Sequence, residues 1–321
     1  MSKTVNNAAS TATKKVYDFC SKKKMILGIV IACVLALIVG IIVRGVNFAI
    51  EFEGGTVITY DYTNDVDTNE VKSIVNGIVN TSVDVRTGEN IESDGKQLTI
   101  SFTSDTGLTV DRQSELTEAL QKAFPDSAIE LSDSNDVNPT TGREFLLKCV
   151  VAVIFAAVLI ILYIAIRFRK IGGWSAGVCS VFALLHDLLV ALAATIIFGF
   201  EINSNIVAVI LTILGYSINN TIVIYDRIRE NKQLMPKASL NELINTGCSQ
   251  SLTRSIRTSI TTIGTMLIVT IVVLISGYTS LLSFSVPLVF GLISGTYSSL
   301  FVAPVTWSWW KGKSDSKKKK N

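Results

Sequence analysis

The segment at residues 213–231, ILGYSINNTIVIYDRIREN, combines an apolar helical pattern with polar groups that membrane helices rarely contain. Two adjacent amides, Asn219 and Asn220, lie among isoleucines and valines, and a run of charges begins at Asp226. Polar side chains are costly inside a bilayer, so those that are kept there usually serve a function or bond another helix. The segment therefore predicts a membrane-spanning helix whose polar residues are candidates for a functional site.

Composition favours a membrane protein for the chain as a whole. Of the 321 residues, 49% are hydrophobic and 17% are charged, whereas soluble domains have roughly 25% charged residues. The charge is unevenly distributed, because residues 45–143 hold 18 of the 26 acids and only 6 of the 29 bases. The five cysteines are odd in number and do not have metal-ligand spacing, which argues against a disulfide framework.

Six stretches are apolar enough to cross a bilayer core, which requires about 20 residues in a helix. The third is one span only if His186 and Asp187 are tolerated near its centre, because splitting it there leaves two pieces that are too short. A cleaved signal peptide does not fit the first span, whose apolar core is long and is followed by no clean small-x-small site. The predicted spans are residues 25–43, 149–166, 172–200, 202–225, 258–278 and 281–306.

Basic residues predict the orientation, since cytoplasmic loops carry an excess of lysine and arginine. With six spans, the basic clusters at 14–24, 167–170, 227–237 and 317–320 all fall on the cytoplasmic side. Both termini are then cytoplasmic. The predicted parts are a cytoplasmic segment (1–24), transmembrane helix 1 (25–43), an extracytoplasmic domain (44–145), a five-helix membrane bundle (146–306) with a cytoplasmic loop (226–253), and a basic cytoplasmic tail (307–321).

The acidic region between the first two spans predicts one small α+β domain. Alternating apolar and β-branched residues predict strands at 56–62, 82–86, 97–103 and 127–131. Asp67 and Asp111 can cap two helices, each of which has one apolar face. The order strand, helix, strand, strand, helix, strand is that of a ferredoxin-like domain. Its many acids fit a solvated face, and a peptide-binding or docking role is the alternative.

His186 and Asp187 lie near the middle of the third predicted span, and His186 is the only histidine in the chain. Such a pair fits either a hydrogen bond between helices or the movement of a proton or an ion. Asp226 follows the fourth span near the inner water interface. There it fits either anchoring together with Arg227 and Arg229 or a functional charge.

On the fourth span, hydroxyl and amide groups follow helical spacing at Thr212, Tyr216 and either Asn219 or Asn220. These groups can hydrogen-bond neighbouring helices, or they can line an ion site. Gly215 lies beside this polar stripe, where a glycine permits two helices to approach closely.

The fifth and sixth spans add two further patterns. Arg254 and Arg257 lie on one helix face, where they fit either snorkelling to the cytoplasm or an ion pair with an acid on a neighbouring helix. Gly291, Gly295 and Ser299 recur at intervals of four, which predicts tight helix contact. The sequence contains no nucleotide-binding loop, metal-ligand set or nucleophile triad, so we expect no enzyme activity, no metal and no cofactor. Energy would then come from an ion gradient or from a partner.

Five sequence blocks resemble the SecF family of protein-export membrane subunits, and they occur in the family's order. SecF pairs with SecD and belongs to the resistance-nodulation-division superfamily. The likeness covers roughly residues 52–304. The blocks are FEGGTVI (52–58), LLHDLLV (184–190), GYSINNTIVIYDRIREN (215–231), SLTRSIRTSITT (251–262) and GLISGTYSSLFVAP (291–304).

The resemblance implies a subunit of the bacterial cytoplasmic membrane that acts with SecD, the SecYEG channel and the SecA motor. It would help to pull or release the translocating polypeptide on the outer side, driven by proton or sodium flow. Membrane lipid is a further expected partner, and nucleic acid is not. Gly54 and Gly55 match the family motif where the outside domain joins the membrane, and glycine there fits either a hinge or a tight turn.

One departure from the family pattern concerns ion coupling. SecF proteins usually have a carboxylate at the position of Asn220, and an amide has no group that titrates in the working range. Arg254 matches the family's arginine on the fifth helix, which here lacks that acid. Three hypotheses remain: coupling through Asp187 or through a carboxylate of SecD, binding of Na+ by amide and hydroxyl oxygens, or a scaffold without ion coupling. The rival function is a small-molecule efflux transporter of the same superfamily, although one outside domain leaves little room for a drug cleft.

Overall fold

The computed structural model describes residues 16–81, 83–89, 96–103, 108–276 and 279–318. The predicted N-terminal segment 1–24 is therefore described only from residue 16. The basic residues Lys14, Lys15, Lys319 and Lys320, on which part of the predicted orientation depends, lie outside the described residues.

The helices and strands alternate between a membrane part and a small domain inserted after the first long helix. In chain order they are α1 (Lys23–Arg44), α2 (Ile50–Glu53), β1 (Gly55–Tyr62), α3 (Thr68–Val79), β2 (Val83–Glu89), β3 (Lys96–Phe102), α4 (Val110–Ala123), β4 (Glu130–Val137), α5 (Pro139–Arg167), α6 (Gly173–Ile197), α7 (Asn205–Leu234), α8 (Leu240–Ile275), α9 (Thr279–Tyr297), a π-helical turn (Ser298–Val302) and α10 (Ala303–Lys318).

Six helices are long and apolar enough to cross a membrane, as the hydropathy of the sequence predicts. The third of them, α6, continues without a break through His186 and Asp187, which confirms one span instead of two short pieces. The sixth span is α9 together with the π-helical turn and α10. A π-helical turn inside a longer helix often marks a functional site.

Several helices extend beyond the predicted spans. The segment 226–253, predicted as a cytoplasmic loop, is mostly helical, since α7 continues to Leu234 and α8 begins at Leu240. Ser239 caps α8 by accepting a hydrogen bond from the Glu242 backbone N–H at 3.2 Å. Likewise α5 begins at Pro139, within the range assigned to the small domain. Hydropathy locates only the part of a helix that lies in hydrocarbon, whereas backbone hydrogen bonds continue into polar sequence.

The small domain has the predicted element order, with two helices and a four-stranded sheet. The strand order is β2-β3-β1-β4, and every neighbouring pair is antiparallel. The inward residues of β1 and β3 pack against the apolar faces of α3 and α4. This core contains Ile58, Tyr60, Leu98, Ile100, Val71, Val75, Leu116 and Leu120, all buried.

The last strand is not where the sequence pattern predicts it. The prediction was 127–131, whereas β4 covers Glu130–Val137. Its residues are exposed along nearly the whole strand, which lies at the sheet edge and pairs only with β1. Backbone hydrogen bonds and not side-chain burial define this strand, so apolar alternation could not reveal it. The charges on this edge discourage pairing with another chain.

The membrane bundle is arranged around α6, which packs against α1, α5, α7, α9 and α10. Small side chains on α6, such as those of Ala176, Ser180 and Ala183, allow these helices to surround it closely. As a result, His186 and Asp187 lie at the centre of the bundle, with only 4% and 0% of their surface exposed.

Candidate functional site

Asp187 is the centre of a polar cluster inside the helix bundle. Ser217 of α7 donates its hydroxyl hydrogen to Asp187 Oδ2 at 2.7 Å. Ser294 of α9 donates to Oδ1 at 2.6 Å, and Ser298 of the π-helical turn donates to Oδ2 at 2.6 Å. Side chains from three separate elements thus converge on one carboxylate of α6, and we call these four residues the Asp187 cluster.

The Asp187 cluster combines one carboxyl group with three hydroxyl groups. An ionised carboxylate only accepts hydrogen bonds, whereas a serine hydroxyl can both donate and accept. Each of the three hydroxyls donates to a carboxylate oxygen of Asp187, and each can also rotate to act as an acceptor. Hydrogen bonds to a charged group are also stronger than neutral ones, which offsets part of the cost of burying the charge.

His186 and Asn220 are buried beside this region and retain unused hydrogen-bonding capacity. His186 Nδ1 lies 3.3 Å from both Asp187 Oδ1 and Ser294 Oγ. Within the described ranges, His186 Nε2 and the Asn220 side-chain nitrogen have no hydrogen-bond partner. Buried polar groups usually have partners, so these two atoms are exceptions beside the Asp187 cluster.

Glycines on α9 bring that helix close to α7. A Cβ added at Gly291 would lie 2.7 Å from Ile213 Cγ1, and one at Gly295 would lie 3.2 Å from Ser217 Cβ. Both positions thus have the tight packing that their spacing predicts, and Gly295 allows Ser294 and Ser298 to approach the same carboxylate as Ser217.

Gly215 has no close contact with another helix in the described part of the chain, where its place beside the polar stripe predicts one. It is exposed, and a Cβ added there would meet nothing within 4 Å. The reason is the rotation of α7 about its axis, which directs Ile213 and Ser217 into the bundle and leaves Gly215 on another side.

The same rotation divides the predicted polar stripe of α7. Asn220 is buried with 4% of its surface exposed, whereas Asn219 and Thr212 are exposed. Adjacent residues of a helix point about 100° apart, so Asn219 and Asn220 cannot line one site. Of the two amides that the helical spacing allowed, only Asn220 faces the interior of this bundle.

Tyr216 belongs to a second group of hydroxyls, between α7, α8 and α9. Its hydroxyl donates to Ser259 Oγ at 2.8 Å and lies 3.1 Å from Thr296 Oγ1. Thr296 also donates to Ser259 Oγ at 2.8 Å. These bonds join three helices, which is a sufficient account of this tyrosine.

Asp226 and Arg254 lie apart from the Asp187 cluster. Asp226 forms ion pairs with Arg167 of α5 at 3.2 Å and with Arg229 at 2.9 Å, which fits anchoring at the end of a span. Arg254 is exposed on α8 and forms no ion pair within the described part of the chain. The structure thus does not bring either residue to the buried carboxylate.

Gly54 and Gly55 form a closely packed joint between the small domain and the membrane part. Gly54 has φ +86°, and a Cβ there would lie 2.5 Å from Pro139 N. Gly55 has φ +146°, and a Cβ there would lie 3.0 Å from Thr103 Cα. Both the backbone conformation and the available space therefore require glycine.

The loop between α6 and α7 contacts the small domain directly. Glu201 of this loop forms an ion pair with Arg86 of β2 at 2.9 Å, and the Ser204 backbone N–H donates to a Glu51 carboxylate oxygen at 2.5 Å. Burial raises the pKa of Glu201 to about 7, against the opposing effect of Arg86 and with a further raising contribution from Asp84. The two helices that carry Asp187 and Ser217 are thereby connected to the domain.

We expect this contact to strengthen as the pH falls from about 7 towards 4.5. Glu201 has a pKa of about 7 when β2 contacts the loop between α6 and α7, and its ordinary pKa of 4.5 when β2 has moved away. Between pH 4.5 and 7 the state with this contact therefore binds more protons, so a lower pH favours it. Hydrogen exchange of the β2 amides, corrected for intrinsic rates, should slow as the pH falls. Glu201→Gln should remove this dependence, and an unchanged pH dependence in that variant would contradict the assignment.

These features define a multi-pass membrane protein whose helix bundle encloses a carboxylate surrounded by hydroxyls and is joined to a small α+β domain. The chain matches the model of the protein export membrane protein SecD/SecF C-terminal domain over residues 116–313 and that of the SecD/SecF GG motif over residues 39–66. It is 33% identical over 290 residues to protein translocase subunit SecF of Petrotoga mobilis, covering 89% of this chain and 93% of the relative. It is 34% identical over 278 residues to that of Alicyclobacillus acidocaldarius, covering 85% and 86%. The chain belongs to the SecF family, which confirms the resemblance of the five sequence blocks.

Two solved structures of SecDF have the same fold over most of this chain. The crystal structure of SecDF from Thermus thermophilus, described as a translocon-associated membrane protein, has a TM-score of 0.75 and 26% identity over 93% of this chain. SecDF in its super-membrane-facing form has a TM-score of 0.66 and 26% identity over 95% of this chain. The chain spans 39% and 40% of the length of those SecDF chains.

The sequence analysis missed all three serines of the Asp187 cluster, including Ser217 of α7. Ser294 and Ser298 lie in the block 291–304 at a spacing of four, on a helix interpreted only as a packing element. Two serines one turn apart in a membrane span were the available signal, since such hydroxyls seek a partner on another helix. The partner itself could be identified only once α6 and α9 were placed together.

Proposed function

We propose that this chain is an accessory subunit of bacterial Sec protein export that uses an ion gradient through Asp187. It acts with SecD to promote late translocation or release of polypeptides on the outer side of the cytoplasmic membrane. The observation that carries the proposal is the Asp187 cluster. Asp187 is the one fully buried acid in the described part of the chain. The resemblance of the block 215–231 to SecF implies that Asn220 stands where the family usually has a carboxylate.

Protonation of Asp187 weakens the attachment of α7 and α9 to α6. The charged carboxylate holds Ser217, Ser294 and Ser298 by three charge-assisted hydrogen bonds, and its neutral form holds them less strongly. The helices then shift relative to one another. Because α6 and α7 meet at the loop that contacts Arg86, this shift moves the small domain.

SecD is the proposed partner for the exposed polar residues of the bundle. The solved relatives are SecDF chains, of which this chain covers about two fifths. Asn219 is exposed within the fourth membrane span, where contact with lipid is unfavourable for an amide, and Arg254 is exposed on α8 close to the start of the fifth span. A second bundle supplied by SecD would cover them, and the SecYEG channel and the SecA motor complete the proposed assembly.

The small domain is assigned to the outer side and to the ferredoxin-like class. The order β2-β3-β1-β4 with two helices supports the class. The distribution of lysine and arginine supports the orientation, with both termini in the cytoplasm. In this position the domain can reach the emerging polypeptide.

The test is export into proteoliposomes that contain this chain, its SecD, the channel and the motor. We expect an imposed proton gradient alone to speed release of the translocated chain, and an imposed sodium gradient alone to have no effect. Liposomes without this chain are the control. Stimulation by sodium alone would contradict proton transfer by Asp187, and no stimulation by either gradient would favour a scaffold.

A further inference from the structure

A cleft of about 770 Å³ opens between α1, α6 and the end of the sixth span. Lys23 and Lys24 line one end of it, and Val30, Phe182 and Val302 line the other. From Lys23 to Val30 a helix rises about 10 Å. The cleft therefore extends from the basic end of α1 into the apolar part of the bundle.

The mouth of the cleft has the composition of a membrane–water interface. Trp309 and Trp310 line it beside the lysines, with 59% and 52% of their surfaces exposed. Tryptophan is enriched at the level of the lipid headgroups, where one part of the ring system is apolar and its N–H meets water. The mouth thus lies at the headgroups, and the floor lies in hydrocarbon.

The charge at this mouth is positive and is not neutralised by the protein. Both lysines are exposed, and neither forms an ion pair within the part of the chain that the structure describes. Two adjacent ammonium groups attract a phosphate diester, and the apolar floor fits a hydrocarbon chain. An anionic phospholipid has both groups, a phosphate diester in its headgroup and hydrocarbon in its acyl chains.

We propose that this cleft is a binding site for one anionic phospholipid. Lys23 and Lys24 bind the headgroup phosphate, and one acyl chain lies in the cleft against Val30, Phe182 and Val302. The bound lipid joins α1 to α6 and to the end of the sixth span. The proposal does not depend on ion coupling, because none of these residues belongs to the Asp187 cluster.

The experiment is native mass spectrometry of the full chain in detergent, titrated with phosphatidylglycerol or with phosphatidylcholine. We expect one phosphatidylglycerol to bind in preference to phosphatidylcholine. The double variant Lys23→Gln, Lys24→Gln should bind phosphatidylglycerol roughly 30-fold more weakly, from about 1 kcal/mol for each lysine. The matched control is Arg169→Gln, Lys170→Gln, which removes two charges that do not line the cleft and should retain the binding.

A second variant separates the acyl chain from the headgroup. Val178 lines the cleft and is 36% exposed, so Val178→Trp fills the cleft without changing its charge. It should reduce phosphatidylglycerol binding, while unchanged thermal unfolding shows that the fold is intact. Equal binding of both lipids, or equal losses in the two double variants, would mean attraction to a diffuse basic surface and would overturn the proposal.

Discussion

Asp187→Asn is expected to abolish the stimulation of export by an ion gradient and to leave the fold intact. The amide has the size of the carboxylate but no proton to exchange in the working range. Ser217, Ser294 and Ser298 can adapt, since their hydroxyls can accept hydrogen bonds from the new amide nitrogen. Export into proteoliposomes should therefore fall to the rate measured without a gradient, with no change in the amount of folded protein.

Asp226→Asn is the matched control for this substitution. It also replaces an aspartate of the membrane part by asparagine, but it removes only the ion pairs with Arg167 and Arg229. Partly exposed ion pairs contribute little, so export with a gradient should remain close to that of the unmodified protein. Full stimulation in Asp187→Asn would show that another carboxylate, such as one in SecD, carries the coupling.

Asn220→Asp tests the hypothesis that this chain is a scaffold without ion coupling. If Asp187 already carries the coupling, a carboxylate restored at the family's position should not raise proton-driven export. A clear rise would instead mean that the unmodified chain lacks coupling and acts as a scaffold. The measurement uses the same proteoliposomes with a proton gradient alone.

Gly54→Ala is expected to destabilise the joint between the small domain and the membrane part by about 3 kcal/mol or more. Two costs add, because a non-glycine residue at this positive φ is strained and the new methyl group overlaps the backbone of Pro139. The backbone of Pro139 cannot shift easily to relieve this overlap, because Pro139 begins α5. Thermal unfolding should occur at a lower temperature, and the amount of protein in the membrane should fall.

Gly77→Ala is the control for this second prediction. Gly77 lies in α3, is exposed, and has nothing within 4 Å of the position where a Cβ would be. Alanine is better than glycine in a helix by about 0.5–1 kcal/mol, so this variant should be slightly more stable. If Gly54→Ala retained the unfolding temperature but lost export, the glycine would serve a hinge and not a tightly packed turn.

The sequence predicted those features of the fold that depend on a single continuous stretch of residues. The continuity of α6 through His186 and Asp187 was predictable, because a span must have a minimum apolar length. The apolar faces of α3 and α4 were also predictable from periodicity. The ends of α7 and α8 and the position of β4 were not, because backbone hydrogen bonds define them in polar sequence that hydropathy does not distinguish from a loop.

The candidate site was predictable in part. The cost of burying a charge made Asp187 one of several candidates from the sequence alone. The absence of an acid at Asn220 made Asp187 one of the alternative carriers of the coupling. Ser217, Ser294 and Ser298 could not be assigned to it, because serine is common in membrane helices and its sequence position does not reveal its partner. The choice between Asn219 and Asn220 stayed open in the sequence, since helical spacing does not reveal which side of a helix faces inward.

The sequence by itself determined six membrane spans, a small inserted domain and one carboxylate in the middle of a span. Each of these features depends on the composition or periodicity of one continuous stretch. The thickness of the bilayer sets the apolar length of a span, and helix geometry sets the spacing of residues on one face. Only the tertiary structure decided which polar groups meet. The rotation of α7 and the close approach of α9 at Gly295 place three hydroxyls on Asp187 and leave Asn219 outside, because steric fit between segments far apart in the chain sets those orientations.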